Sequence, residues 1–103
     1  MSTVYHLRAT VAAIKPSRTT ASGIVRRDLV LSDPVGRTGR LQPILVGFAG
    51  DRTTLLDDLE IGDYVEIDFG ISGHIDARPP VPRHIVSLYG LGVIKLPSPP
   101  VIQ

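Results

Sequence analysis

The 103-residue chain has no cysteine, no tryptophan and no asparagine, and only 5% of its residues are aromatic. Without cysteine there is no disulfide framework, no thiolate zinc site and no thiol nucleophile, and the sequence is silent about redox compartment. No stretch approaches the ~20 apolar residues of a bilayer span, and the opening MSTVYHLRAT lacks a secretion-signal core. A cytoplasmic location and no membrane partner are therefore expected. Signatures of catalysis are missing too. There is no Gly-x-Ser-x-Gly and no phosphate-binding loop, and Gly90-Leu91-Gly92 lacks the rest of a dinucleotide fingerprint. The Ser17 to Ser22 cluster has no basic partner that spacing can identify, and Asp57-Asp58 reads as a solvated helix end. His74-x-Asp76 with His84 matches no metal-ligand spacing. No catalytic residue, no cofactor and no metal are expected.

A length of 103 residues fits one domain with one modest core, and the 43% hydrophobic content argues against wholesale disorder. The net charge of +1 hides an asymmetry along the chain. Residues 1–50 carry Arg8, Lys15, Arg18, Arg26, Arg27, Arg37 and Arg40 against Asp28 and Asp33, a balance of +5. Residues 51–68 carry seven acids against Arg52, a balance of −6, and the remainder stands at +2. If the fold keeps these blocks apart, one face is basic and another acidic. Nine of the eleven cations are arginine, the side chain suited to bidentate phosphate contact and to stacking on bases.

Hydrophobic alternation marks five strands. The first runs over 4–14, with Leu7, Ala9 and Val11 against His6, Arg8 and Thr10. Lys15 to Gly23 reads as a turn-rich loop, and a second strand follows over 24–32. Asp33-Pro34-Val35-Gly36 and Arg37-Thr38-Gly39 read as a turn. The third strand, 40–49, places Gln42, Ile44, Val46 and Phe48 on one face, while Pro43 marks an edge or bulge. A short helix follows, with Asp51 as a cap and Leu55, Leu56 and Leu59 as its apolar positions. Tyr64 to Ser72 is the fourth strand, 73–82 a proline-stiffened loop, and 83–96 the fifth strand, bent at Gly90 or Gly92. Five strands with one short helix between the third and fourth define an all-β OB-fold, a small Greek-key barrel, over residues 1–96. A two-layer sandwich is disfavoured because five strands leave one sheet too narrow. Residues 97–103 form a Pro-rich tail that could dock on an aromatic groove of a protein partner.

The segment ILVGFAGDRTTLLDDLEIGDYVEIDFGISG, residues 44–73, resembles bacterial single-stranded DNA-binding proteins and related small OB-fold proteins. The resemblance is carried by Gly50-Asp51-Arg52, by Leu55-Leu56, and by Leu59-Glu60-Ile61-Gly62-Asp63-Tyr64-Val65. Arg27-Asp28-Leu29-Val30-Leu31 looks like that family's second strand. The resemblance implies a non-catalytic protein that binds single-stranded DNA, of the kind used in DNA replication, and works as a homo-oligomer. Two positions depart from the pattern. Ala49 stands where the family carries a base-stacking aromatic, and the tail has no acidic residue. Stacking is worth ~1–3 kcal/mol per base, so any binding must lean on charge. The candidate nucleic-acid contacts are then Arg26 and Arg40 on the second and third strands, Lys15 and Arg18 in the first loop, and Arg78 and Arg83 flanking the last. Tyr5 and Tyr89, with Tyr64, are candidate stacking rings, although each also suits a barrel end. Glu66 and Asp68 face outward on the fourth strand, where they would repel phosphate. A structural reading stands beside this one, in which the barrel binds protein and the two charge blocks pair between subunits.

Overall fold

The computed structural model describes residues 3–35 and 39–97. The elements are β1 (Tyr5–Ile14), β2 (Arg18–Thr19), β3 (Val25–Val35), β4 (Arg40–Ala49), a 3-10 helix (Gly50–Leu56), β5 (Tyr64–Asp76) and β6 (Arg83–Lys95). They form one sheet in the order β1-β5-β6-β4-β3-β2, which the pairing of β1 with β3 closes into a barrel. This is the five-stranded OB-fold read from the sequence, with β2 added as a two-residue flap on β3. Residues 36–38 of the expected turn, and 98–103 of the Pro-rich tail, lie outside the described residues. No helix among those described is long and apolar enough to cross a membrane.

Alternation explains the barrel. Ala9, Val11, Leu29, Leu31, Val46, Phe48, Val65 and Ile67 come from alternate positions of four strands and meet in one buried core, joined by Leu56 and Leu59. Phe48 is fully buried. Its ring lies so close to Gly90 that a Cβ there would overlap it, and the ladder of β5 and β6 slips one residue beside it, between Asp68 opposite Gly92 and Phe69 opposite Gly90. The bend expected at Gly90 or Gly92 is thus a bulge at Leu91, and Gly90 is bare because an aromatic ring occupies the space.

The helix differs from its sequence reading. It is a 3-10 turn whose N-cap is Ala49, with no side-chain capping bond, and Asp51 lies in its first turn. The Thr53 and Thr54 hydroxyls donate to the Gly50 and Asp51 carbonyls, each at 2.8 Å. Two adjacent β-branched residues that bond back three positions favour the tighter helix over an α-turn. The segment buries Thr53 and Leu56 and leaves Leu55 exposed. After it, Gly62 takes φ 99°, a conformation that favours glycine. That turn lets the Gly62 amide reach the Val11 carbonyl at 2.9 Å while the Asp63 carbonyl accepts from Val11 at 2.8 Å. The Asp63 carboxylate accepts from the Glu60 amide at 2.9 Å and lies 3.4 Å from the Lys95 ammonium; both hold its pKa below the usual carboxylate value.

Two strands run further than alternation indicated. β3 continues through Val35, with Pro34 beyond the reach of β1 and so on an open edge that a proline tolerates. β5 continues to Asp76, pairing Gly73 with Val86, His74 with Ile85, Ile75 with His84 and Asp76 with Arg83. Gly73 looked like a break and is instead one rung of a ladder. Its consequence is a two-stranded ribbon, 71–76 with 83–88, that extends past the end of β1.

The packing makes one substitution decisive. Gly90→Ala forces a methyl group into the Phe48 ring, so it is expected to lower unfolding stability by about 1–3 kcal/mol. Urea denaturation of wild type and variant measures this, with Gly92→Ala, whose Cβ would meet only the Asp68 side chain at an ordinary 3.6 Å, as the uncrowded comparison.

Candidate nucleic-acid interface

The two-residue strand β2 builds the most basic feature of the surface. It pairs Arg18 directly with Arg26 of β3, so two guanidinium groups stand side by side on one sheet face. Like charges directly opposite one another are destabilising unless a counter-charge intervenes. Asp28, two residues along the same face of β3, supplies it: the Arg18 guanidinium donates to its carboxylate at 3.3 Å. Arg26 has no ion-pair partner among the described residues. Opposite Arg26 on β4 is Ala49, and opposite Asp28 is Gly47. A methyl group at Gly47 would sit 3.3 Å from the Asp28 carboxylate, so the floor beside the arginine pair is nearly flat.

β4 and β6 run parallel and pair over two positions only, Val46 with Leu88 and Gly47 with Tyr89. Below that contact they diverge, and the opening is a cleft of ≈ 470 Å³ whose walls include Arg18, Arg26, Asp28, Leu45, Val86 and Leu88. Tyr89 shares the outer surface with Gly47, two strands from Arg26 with β4 between. Its ring leans the other way, across Gly70 of β5, where a Cβ would overlap it.

The remaining candidates scatter. Arg40 pairs with Val35 at the far end of β4, and its parity is that of Val46 and Phe48, so it shares neither face nor neighbourhood with Arg26. Lys15 is exposed at the base of the β2 loop, its amide donating to Asp28 O and its carbonyl accepting from Arg27 Nε, both at 3.0 Å. Arg78 is engaged at the ribbon tip, its guanidinium donating to both oxygens of Asp76, with Nε···Oδ1 at 2.9 Å and Nη2···Oδ2 at 2.6 Å. That pairing holds the Asp76 pKa below the usual carboxylate value and raises that of Arg78. Arg83 lies across the ladder from Asp76 and three residues, roughly 10 Å, from Val86 in the cleft. Tyr5 stacks on Phe69 with ring centroids 5.8 Å apart and lies outside the cleft.

The two charge blocks do not form separate faces. Arg8 bonds to Glu66 at 3.0 Å, Arg27 to Asp57 at 2.9 Å and His6 to Asp68 at 2.6 Å. Antiparallel pairing of β1 with β5 interleaves the cations of the first block with the acids of the second. His74 and His84 fall on opposite faces of the ribbon, and no group of three His, Asp or Glu side chains among the described residues is placed to hold a metal ion. What sequence reading missed is the Arg18–Arg26 pair with Asp28 between. The available signal was the Ser22-Gly23 turn dipeptide between Arg-Thr and Val-Arg, a hairpin pattern.

No protein-family model matches the sequence, and no curated protein matches it. Solved structures do match the fold. The mitochondrial single-stranded DNA-binding protein Rim1 of S. cerevisiae superposes with a TM-score of 0.75 at 10% identity, over 97% of this chain and 99% of that one. The single-stranded DNA-binding protein of Thermus aquaticus gives 0.67 at 20% identity, over 94% of this chain and 50% of that one. The PriB protein of Ralstonia solanacearum gives 0.61 at 18% identity, over 93% and 99%. The fold is therefore the OB barrel of these single-stranded DNA-binding proteins and PriB.

The Asp76–Arg78 pair generates a pH prediction. Because the folded-state pKa of Asp76 is depressed, the pair contributes above the unfolded value near 3.8 and is lost as pH falls through the folded value. Asp76→Asn should flatten the acid limb of the stability curve, read by urea denaturation at pH 5 and at pH 2.5.

Proposed function

We propose that the protein binds single-stranded nucleic acid, with DNA as the ligand of first choice, without catalysis and with little sequence preference. The observation that carries this reading is the Arg18–Arg26 pair set beside the flat floor of Ala49 and Gly47, on the sheet face where OB-folds receive oligonucleotides. Arginine pairs suit the phosphate backbone, which positions a strand and carries no sequence information. Support also comes from the structural neighbours, two of which are described as single-stranded DNA-binding proteins. Lys15 and Arg83 extend the basic track at either end, whereas Tyr89 would have to leave its position over Gly70 to stack on a base. Arg40, at the other end of β4, and Arg78, held by Asp76, contribute less. A cytoplasmic role in DNA replication belongs to this same reading.

A second reading, a structural module that assembles with itself or with another protein, is favoured by a separate observation. Leu45 and Val86 in the cleft and Ile71 and Ile75 on the ribbon are 52%, 68%, 47% and 59% exposed, a large aliphatic surface for a solitary barrel. The N-terminal domain of PriB from Thermoanaerobacter tencongensis, a further structural neighbour, is described as dimeric. Docking of the Pro-rich tail on a partner protein belongs to this reading.

Fluorescence anisotropy with labelled oligo-dT tests the first reading. Neutralising three phosphates through Lys15, Arg18 and Arg26 predicts a log–log salt slope of about −2. Arg26→Glu should weaken binding severalfold and make the slope shallower, whereas Arg52→Glu, on the 3-10 helix, should leave both unchanged. Absence of binding at low salt would sink the proposal.

A further inference from the structure

No apolar side chain holds the β2 hairpin onto the barrel. Every residue from Lys15 to Thr19 is exposed, and β2 pairs with β3 at two positions only, one of which sets Arg18 against Arg26. Like charges directly opposed work against that pairing. Two-stranded ribbons are marginal in water even without such repulsion. At the tip, the Thr20 amide donates to the Ile24 carbonyl at 2.8 Å and the Thr20 carbonyl accepts from Gly23 at 2.9 Å. Those bonds shape the turn. They do not fasten it to the sheet.

The fastening is at the root, and Arg27 makes it. Arg27 lies between Arg26 and Asp28 in the chain but pairs with Phe48, so its side chain leaves β3 on the face opposite to theirs. The guanidinium is only 21% exposed and divides its donors between two elements. Nε donates to the Lys15 carbonyl at 3.0 Å, and Nη1 donates to Asp57 Oδ1, just past the 3-10 helix, at 2.9 Å. The Lys15 amide in turn donates to the Asp28 carbonyl at 3.0 Å. Both backbone groups of Lys15 are thereby tied to β3, three residues before Arg18. Pro16 follows directly, and its fixed φ carries the orientation of the Lys15 carbonyl into the strand. Only a planar fork can aim two N–H groups at acceptors on separate elements; a lysine ammonium is a single point charge.

We infer, on the footing of the nucleic-acid binding proposed above, that Arg27 is the positioning residue of the Arg18–Arg26 pair. It contacts no phosphate. It ties the hairpin root to the end of the 3-10 helix and so keeps Arg18 opposite Arg26. Asp57 gains a role from the same geometry: it is an acid whose removal costs affinity for a polyanion, because it holds the far end of the fork.

Amide hydrogen exchange without nucleic acid, and anisotropy with labelled oligo-dT, test this together. Arg27→Lys keeps the charge and loses the fork. The Lys15 amide and those of β2 should then exchange about tenfold faster while the core strands keep their protection. Oligo-dT affinity should fall about threefold or more, with a salt slope shallower by ~0.7 for each phosphate contact released. Asp57→Asn is the discriminating variant. It makes the chain more positive by one charge, so electrostatics alone, or an Arg27 that itself grips phosphate, predicts tighter binding, whereas the positioning role predicts weaker binding. In an Arg18→Gln background, Arg27→Lys should weaken binding by a smaller factor than in wild type, since two residues acting through one contact are not additive. Tighter binding by Asp57→Asn overturns the inference, as does wild-type exchange at Lys15 and β2 in Arg27→Lys. A lowered urea midpoint with exchange quickened throughout the barrel overturns it too, by making Arg27 a general stabiliser. A wild type that fails to bind oligo-dT sinks the binding reading instead, and hairpin exchange alone then decides whether Arg27 is the fastening.

Discussion

The seam between β4 and β6 is the constraint on which the rest of the surface depends. Those strands are parallel, close the barrel, and share only two paired positions, Val46 with Leu88 and Gly47 with Tyr89. The Phe48 ring sets how closely β6 can approach, since it fills the space over Gly90, and the Leu91 bulge falls on the other side of that contact, next to the stretch of β6 that pairs with Val65 to Asp68. With the seam pinned at one point, β3–β4 and β5–β6 must diverge below it. The cleft, the open strand edges and the protruding ribbon are three aspects of that single divergence. Were β4 and β6 zipped further, each of them would disappear.

How legible this was in the chain depends on whether burial enforced it. Leu29, Leu31, Val46, Phe48, Val65 and Ile67 alternate because one face of each strand is fully buried, so period-two reading located these strands and assigned Phe48 to the core. Past residue 72 both faces of β5 are exposed, the alternation of Ile71, Gly73 and Ile75 has a hole in it, and the strand reads as a loop. β2 is two residues long and wholly exposed, below what any periodicity can register. Register was invisible for a related reason. Arg26 and Arg40 both lie on the β3–β4 hairpin, but only the pairing of Arg26 with Ala49 and of Arg40 with Val35 shows that they occupy opposite faces and ends.

The charge blocks teach the same lesson in electrostatic terms. A +5 block followed by a −6 block suggests a two-faced particle, yet sheet topology decides which residues are neighbours. β1 and β5 come from different blocks and lie antiparallel, which sets Arg8 beside Glu66 and His6 beside Asp68. These exposed pairs contribute little each to stability, ~1 kcal/mol or less. Arg8 and Glu66 cancel on the β1–β5 surface, while Arg26 on β3 keeps its charge without an ion-pair partner among the described residues. The basic surface is thus smaller than the composition of residues 1–50 implies, and better localised.

That localisation bears on what kind of binding the molecule can perform. A strand lying along Arg18 and Arg26 meets Ala49 and Gly47 as its floor, neither of which offers a base a stacking partner or a hydrogen bond. On the proposed reading, charge contacts of this kind would hold the backbone and leave the bases unread. Asp28 tempers even the affinity, because a phosphate arriving at Arg18 must compete with a carboxylate already 3.3 Å away. The single aromatic within reach, Tyr89, is turned over Gly70 and held there by the absence of a side chain beneath it. Weak, salt-sensitive contacts become useful when several act on one strand, since linked sites multiply their affinities without new contacts at any of them.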